Sequence, residues 1–196
     1  MPASARCHTA PKLELRGVSG SSHLVILTEM KEIVLGGVPT AVMLERYPAV
    51  LPSEAQVQEF EQALGYSLPT DYRAFLLAYN GGITDVERVI PSIDVCICDL
   101  FGLYPGGPNE RMQPLQLPAS PELRELWGEL PANLLPIGDT DGGDMLAIRF
   151  LPAGSEVVIL DHETNALRQM LRADTFTALL VSSRPLDEED GDGDEE

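Results

Sequence analysis

The chain has 196 residues, 44% of them hydrophobic, and sets 31 acidic side chains against 13 basic ones for a formal charge of −18. That length suits one well-buried core with tails better than two domains each near the lower size limit. So negative a surface repels phosphate backbones and anionic lipid, which excludes nucleic acid and membrane surfaces as expected partners and favours a basic protein.

The charge is uneven, because Leu186 to Glu196 holds eight acidic residues and no basic one. The rest of the chain still carries 23 acidic against 13 basic residues. Cys7, Cys96 and Cys98 are too few and too irregularly placed for a disulfide framework, which fits a reducing compartment. No apolar run approaches the roughly 20 residues that span a bilayer. The first such run, Leu24 to Leu27, is too short for a secretory segment. A cytoplasmic protein is the expectation.

In chain order, residues 1–46 read as an N-terminal extension whose first 22 or so residues, rich in Pro, Gly and Ser, are expected to be poorly ordered. His23 to Val42 fits two short strands, at Leu24–Leu27 and Ile33–Leu35, or a helical stripe. The β-branched residues and the stop at Gly36-Gly37 favour strands. A domain is expected over 47–183, followed by an acidic disordered tail at 184–196.

Inside that domain Ser53 and Gln56 form a Ser-x-x-Gln capping box, with Val57, Phe60, Ala63 and Leu64 on the buried face of the helix that follows. Gly65 ends that helix, and Leu68-Pro69-Thr70 starts a second one. Tyr72, Phe75, Leu76 and Tyr79 make its apolar stripe, and Asn80-Gly81-Gly82 halts it. The period then becomes two, with Ile93, Val95 and Ile97 alternating with Asp94, Cys96 and Cys98, as in a strand with one face in a core. Tyr104 to Pro121 is a long Pro- and Gly-rich loop, functional or mobile, and a helix over Pro121–Leu130 follows. Met145–Phe150 and Val157–Leu160 flank Pro152–Ser155 as a β-hairpin. Asp174 is the expected N-cap of a last helix burying Phe176, Leu179 and Leu180.

The order of these blocks carries a resemblance. A helix, Gly-x-x-Leu-Pro-x-Asp-Tyr-Arg-x-Phe-Leu, Asn-Gly-Gly, Leu-Pro-Ile-Gly-Asp-x-x-Gly-Gly-Asp, Asp-His-Glu and a terminal Phe-x-x-Leu helix cover most of residues 53–181. Together they resemble the SUKH superfamily, named in part for cell-wall assembly regulators of the Smi and Knr type. The resemblance implies an α+β fold in which a twisted, mostly antiparallel sheet packs against N-terminal helices, with a C-terminal helix. It implies a non-enzymatic protein-binding domain, in bacteria often an immunity protein that blocks a cognate toxin, and in fungi a regulatory interaction protein. No catalytic set is shared, and no cofactor is implied. Gly81, Gly82, Gly142 and Gly143 read as backbone requirements of its turns.

Three clusters invite chemistry. Asp139, Asp141 and Asp144 have the oxygens of a cation site and would serve a metal-dependent hydrolase, but their spacing is not that of an EF-hand loop. A solvated turn whose aspartates cap backbone amides is the preferred reading, and no metal is expected. Asp161-His162-Glu163 could poise a general base, yet neighbours on a strand face opposite ways, so an exposed strand end is preferred. Cys96 and Cys98 cannot complete a tetrahedral zinc site alone. The expected function is therefore neutralisation of a basic toxin by occlusion of its active site, with regulatory scaffolding as the alternative. Candidate partner contacts are Asp139, Asp141, Asp144 and Glu163 on the turns, with Tyr104 and Arg111 on the long loop.

Overall fold

The computed structural model of the protein describes residues 30–47, 50–84, 88–91, 95–104, 114–164 and 167–185. The segment 1–22, the strand expected at Leu24–Leu27, Arg111 and the acidic residues beyond 185 lie outside them.

Two strands, β1 (Met30–Leu35) and β2 (Val38–Arg46), form a hairpin closed by Gly36-Gly37. Both glycines have positive φ, as a two-residue turn matched to strand twist demands. This hairpin precedes residue 47, yet β2 pairs with β3 (Gly82–Thr84), and Ile33 and Leu44 are buried in the common core. Helix α1 (Glu54–Leu64) begins at the Ser53/Gln56 capping box and ends at left-handed Gly65. Val57 and Leu64 are buried and Phe60 is half-buried, whereas Ala63 is exposed. Helix α2 (Thr70–Ala78) buries Tyr72, Phe75 and Leu76, and Arg73 ion-pairs with Glu54 and Glu61 to tie it to α1.

The sheet continues through β4 (Arg88–Ile90), β5 (Val95–Leu100), β6 (Leu134–Thr140), β7 (Met145–Leu151), β8 (Gly154–Leu160), β9 (Leu167–Ala173) and β10 (Arg184–Pro185). Its main order is β1-β2-β3-β5-β6-β7-β8-β9, with β4 and β10 branching from β5. All of these strand pairs are antiparallel. Helix α3 (Pro121–Trp127) is capped by Ser120, and α4 (Phe176–Ser182) by Thr175, whose hydroxyl accepts from the Ala178 amide. The α+β expectation with a C-terminal helix therefore holds. The cap shifts by one from Asp174, because Thr175 sits where its side chain reaches the orphan amide.

Successive residues of the central strands alternate between two apolar clusters. Leu135, Leu146, Ile148, Val157 and Ile159 join Tyr72, Phe75, Phe176 and Leu179 in the main core, on the face covered by α1, α2 and α4. Leu134, Met145, Ala147, Val158 and Leu160 form a smaller cluster with Leu123 on the opposite face, under α3. This corrects the expectation of one buried face for β5: Cys96 and Cys98 are buried as well as Val95 and Ile97. Tyr72, Phe75 and Phe176 knit the helices together at centroid separations of 5.1 to 5.8 Å. The Asp71 carboxylate reaches across to accept from the Thr177 amide at 2.7 Å, joining the start of α2 to the start of α4.

Candidate functional site

The site grows out of the stop that ends α2. Asn80 and Gly81 take φ of +58° and +81°, turning the chain from helix into β3. A Cβ on Gly81 would stand 2.7 Å from the Leu100 carbonyl oxygen and 2.8 Å from the Gly102 nitrogen, so only glycine lets these segments close. The buried Asn80 amide accepts from Leu103 N–H at 2.7 Å and donates to the Leu103 carbonyl at 2.9 Å. This clamp sets Tyr104, whose hydroxyl donates to the Asn80 carbonyl at 3.2 Å and whose ring meets Tyr47 edge-on at 6.5 Å.

Tyr47 then donates to Asp99 Oδ1. Asp99 stands on β5 beside Asp139 on β6, where the register shifts between Ile97 and Leu100 and the strands approach closely at Gly138. Gly138 permits that approach, since a methyl there would collide with the Asp99 carbonyl oxygen. Asp139 Oδ1 accepts from the Asp99 amide at 3.0 Å, and Asp141 Oδ1 from the Cys96 amide at 3.0 Å. Burial and the neighbouring Asp99 charge push Asp139 from an ordinary 3.8 up to about 7. Burial likewise raises Asp99, an effect that its Tyr47 hydrogen bond opposes. Burial also holds the hydroxyls of Tyr47 and Tyr104 well above the usual tyrosine range, so both remain neutral donors.

These carboxylates border a cleft of about 480 Å³ between α3 and strands β5 to β7. Phe101, Trp127 and Met145 are apolar walls, and Leu126, 78% exposed, stands at its edge. Thus one part of the wall is acidic and the remainder apolar, a combination suited to an amphipathic side chain with a cationic end.

The structure separates the sequence candidates. Asp139 and Asp141 border the cleft. Asp144, 1% exposed, does not fit the expected solvated turn: its Oδ1 accepts from the His162 amide at 3.1 Å and lies 2.8 Å from His162 Nδ1. That hydrogen bond is the largest influence raising the His162 pKa, and the pair fastens the β6–β7 turn to the end of β8. Glu163 is exposed in a turn organised by Asp161, whose Oδ1 accepts from the amides of Glu163 and Thr164. Tyr104 faces inward, and Gly143 rather than Gly142 takes the positive φ of the β6–β7 turn. Among the described residues no three His, Cys, Asp or Glu side chains converge as metal ligands. Cys96 and Cys98 are buried and in the thiol form, not joined in a disulfide.

Sequence reasoning missed Tyr47 and Asp99. Asp99 had a signal, as the one acid in the otherwise apolar run Val-Cys-Ile-Cys-Asp-Leu. Tyr47 had none, because its role depends on a pairing 52 residues away.

Comparison with known proteins gives one family: the model described as SMI1 / KNR4 family (SUKH-1) matches residues 51–182. No curated protein and no solved structure matches the chain. Among the described residues no helix is long and apolar enough to cross a membrane.

Proposed function

Since the chain belongs to the SMI1 / KNR4 family (SUKH-1), in general a non-enzymatic protein-binding family, we propose that it is a cytoplasmic bacterial immunity protein that neutralises a cognate basic toxin by covering its active site. The observation that carries this reading is the α3 cleft, where Asp99, Asp139 and Asp141 meet an apolar wall with Leu126 exposed at its edge. A stable protein contact combines a desolvated apolar centre with charge that steers encounter, and both elements are present here. The −18 charge adds long-range attraction for a basic partner.

The test is affinity capture of the tagged full chain from its source cells at low and high salt. A basic toxin domain held at low salt and lost at high salt is the expected result. Capture of a cell-wall or signalling protein with no toxic activity would replace the immunity reading with the regulatory one.

A further inference from the structure

The cleft has a polarity that identifies what could enter it. Asp99 Oδ1 is engaged by Tyr47, and Asp139 Oδ1 by the Asp99 amide. Their Oδ2 atoms have no hydrogen-bond partner among the described residues. Both residues are half-buried and border the cleft. No lysine, arginine or histidine is among the described residues that border the cleft. Two adjacent carboxylates are thus held together by the fold with no cation opposite them among the described residues, while Phe101, Trp127 and Leu126 supply apolar and aromatic surface beside them.

From this geometry we propose that the α3 cleft receives one arginine side chain of the protein partner, its guanidinium bridging Asp99 and Asp139 and its stem lying against Trp127 and Leu126. This rests on the protein-binding reading above and names the chemistry of the contact. Arginine fits better than lysine because a planar fork can bond two carboxylates at once and stack on an aromatic face, whereas an ammonium is a compact, strongly hydrated point charge. The apolar wall accounts for a side chain with a long stem. The like charges of Asp99 and Asp139 oppose one another until a cation is bound, so they contribute most when the site is filled. Tyr47 is a positioning residue: it holds Asp99 in place and has no need to touch the arginine.

The experiment follows the side-chain carboxyl resonances of the full-length protein by NMR during titration with acetyl-Gly-Arg-Gly-amide. The lysine and citrulline counterparts and guanidinium ion serve as comparisons. The arginine peptide is expected to shift the Asp99 and Asp139 resonances saturably, the lysine peptide to bind more weakly, and the neutral citrulline peptide to leave them unmoved. Asp139→Asn, which keeps an oxygen for the Asp99 amide, should weaken the arginine peptide about tenfold. Equal binding of the citrulline peptide, or shifts confined to the acidic tail, would overturn the proposal using wild-type protein alone. Lysine binding as tight as arginine would overturn the choice of side chain, and guanidinium binding as tight as the peptide would make this a small-cation site. Peptide binding without any captured toxin leaves the cleft standing and removes the immunity reading. A toxin held equally by wild type and Asp139→Asn does the reverse.

Discussion

Asp139→Asn should stabilise the protein at alkaline pH and not at acid pH. In the folded chain the Asp139 carboxyl holds its proton up to about pH 7, against an ordinary 3.8. The sign follows from proton binding. Between those values the unfolded chain has lost the proton and the folded chain keeps it, so the favourable contribution is complete below about pH 4 and gone above about pH 7. At roughly 1.36 kcal/mol for each tenfold change in proton affinity, ionising Asp139 within the fold costs up to about 4 kcal/mol. Solvent in the cleft and coupling to Asp99 reduce this to about 2 kcal/mol. Asparagine keeps the oxygen that accepts from the Asp99 amide and carries no charge. Urea unfolding of wild type and variant at pH 4.5, 6 and 8 reads the difference directly. The variant should be about 2 kcal/mol more stable at pH 8 and nearly equal at pH 4.5. A difference that stays constant across the three pH values would refute the reasoning. A carboxylate that destabilises the free protein at working pH is what a site retained for binding would show.

Other perturbations probe the frame that holds the cleft. Phe176→Ala opens a cavity beside Tyr72 and Phe75, whose rings lie 5.1 and 5.2 Å away; it should cost about 3–5 kcal/mol, seen as a lowered urea midpoint with little change in slope. Gly138→Ala forces β5 and β6 apart at the Asp99 carbonyl, with an expected loss of about 1–3 kcal/mol and disturbed Asp99 and Asp139 amide shifts in NMR spectra. Asp71→Ala removes the acceptor for the Thr177 amide and should cost about 1 kcal/mol, with faster amide exchange at the start of α4.

The helices were the most legible part of the sequence, because their signals are local. The Ser53/Gln56 box, the Gly65 stop and the Tyr72, Phe75, Leu76 stripe each lie within a few turns of chain and appear where expected. The sheet was harder. Strand β6, interrupted by Pro136 and Gly138, was not among the expected strands, because its ladder depends on β5 and β7 rather than on its own composition. Strand β9, Leu-Arg-Gln-Met-Leu-Arg-Ala, is built largely from good helix formers, and pairing with β8 overrides that preference. The helix expected over Pro121–Leu130 ends at Trp127, and Leu126, at helical spacing from Leu123, is left exposed.

The candidate site divides in the same way. Asp139 and Asp141 were visible as acids that cap backbone amides, and both do so, but Asp139 stands half-buried on β6 and not in a solvated turn. Asp144 looked equivalent in sequence, yet its neighbour 18 residues on, His162, takes it out of solvent. Asp99 and Tyr47 emerge only when β5 meets β6 and the end of β2, contacts between residues 40 and 52 positions apart.

The most direct test of the central claim is a titration of a captured toxin's activity with wild-type protein and with Asp139→Asn at the same moderate salt. Wild type should abolish the activity at one molecule per toxin, and the variant should need about tenfold more when protein concentrations lie near the dissociation constant. Full toxin activity at saturating wild-type protein would contradict the account.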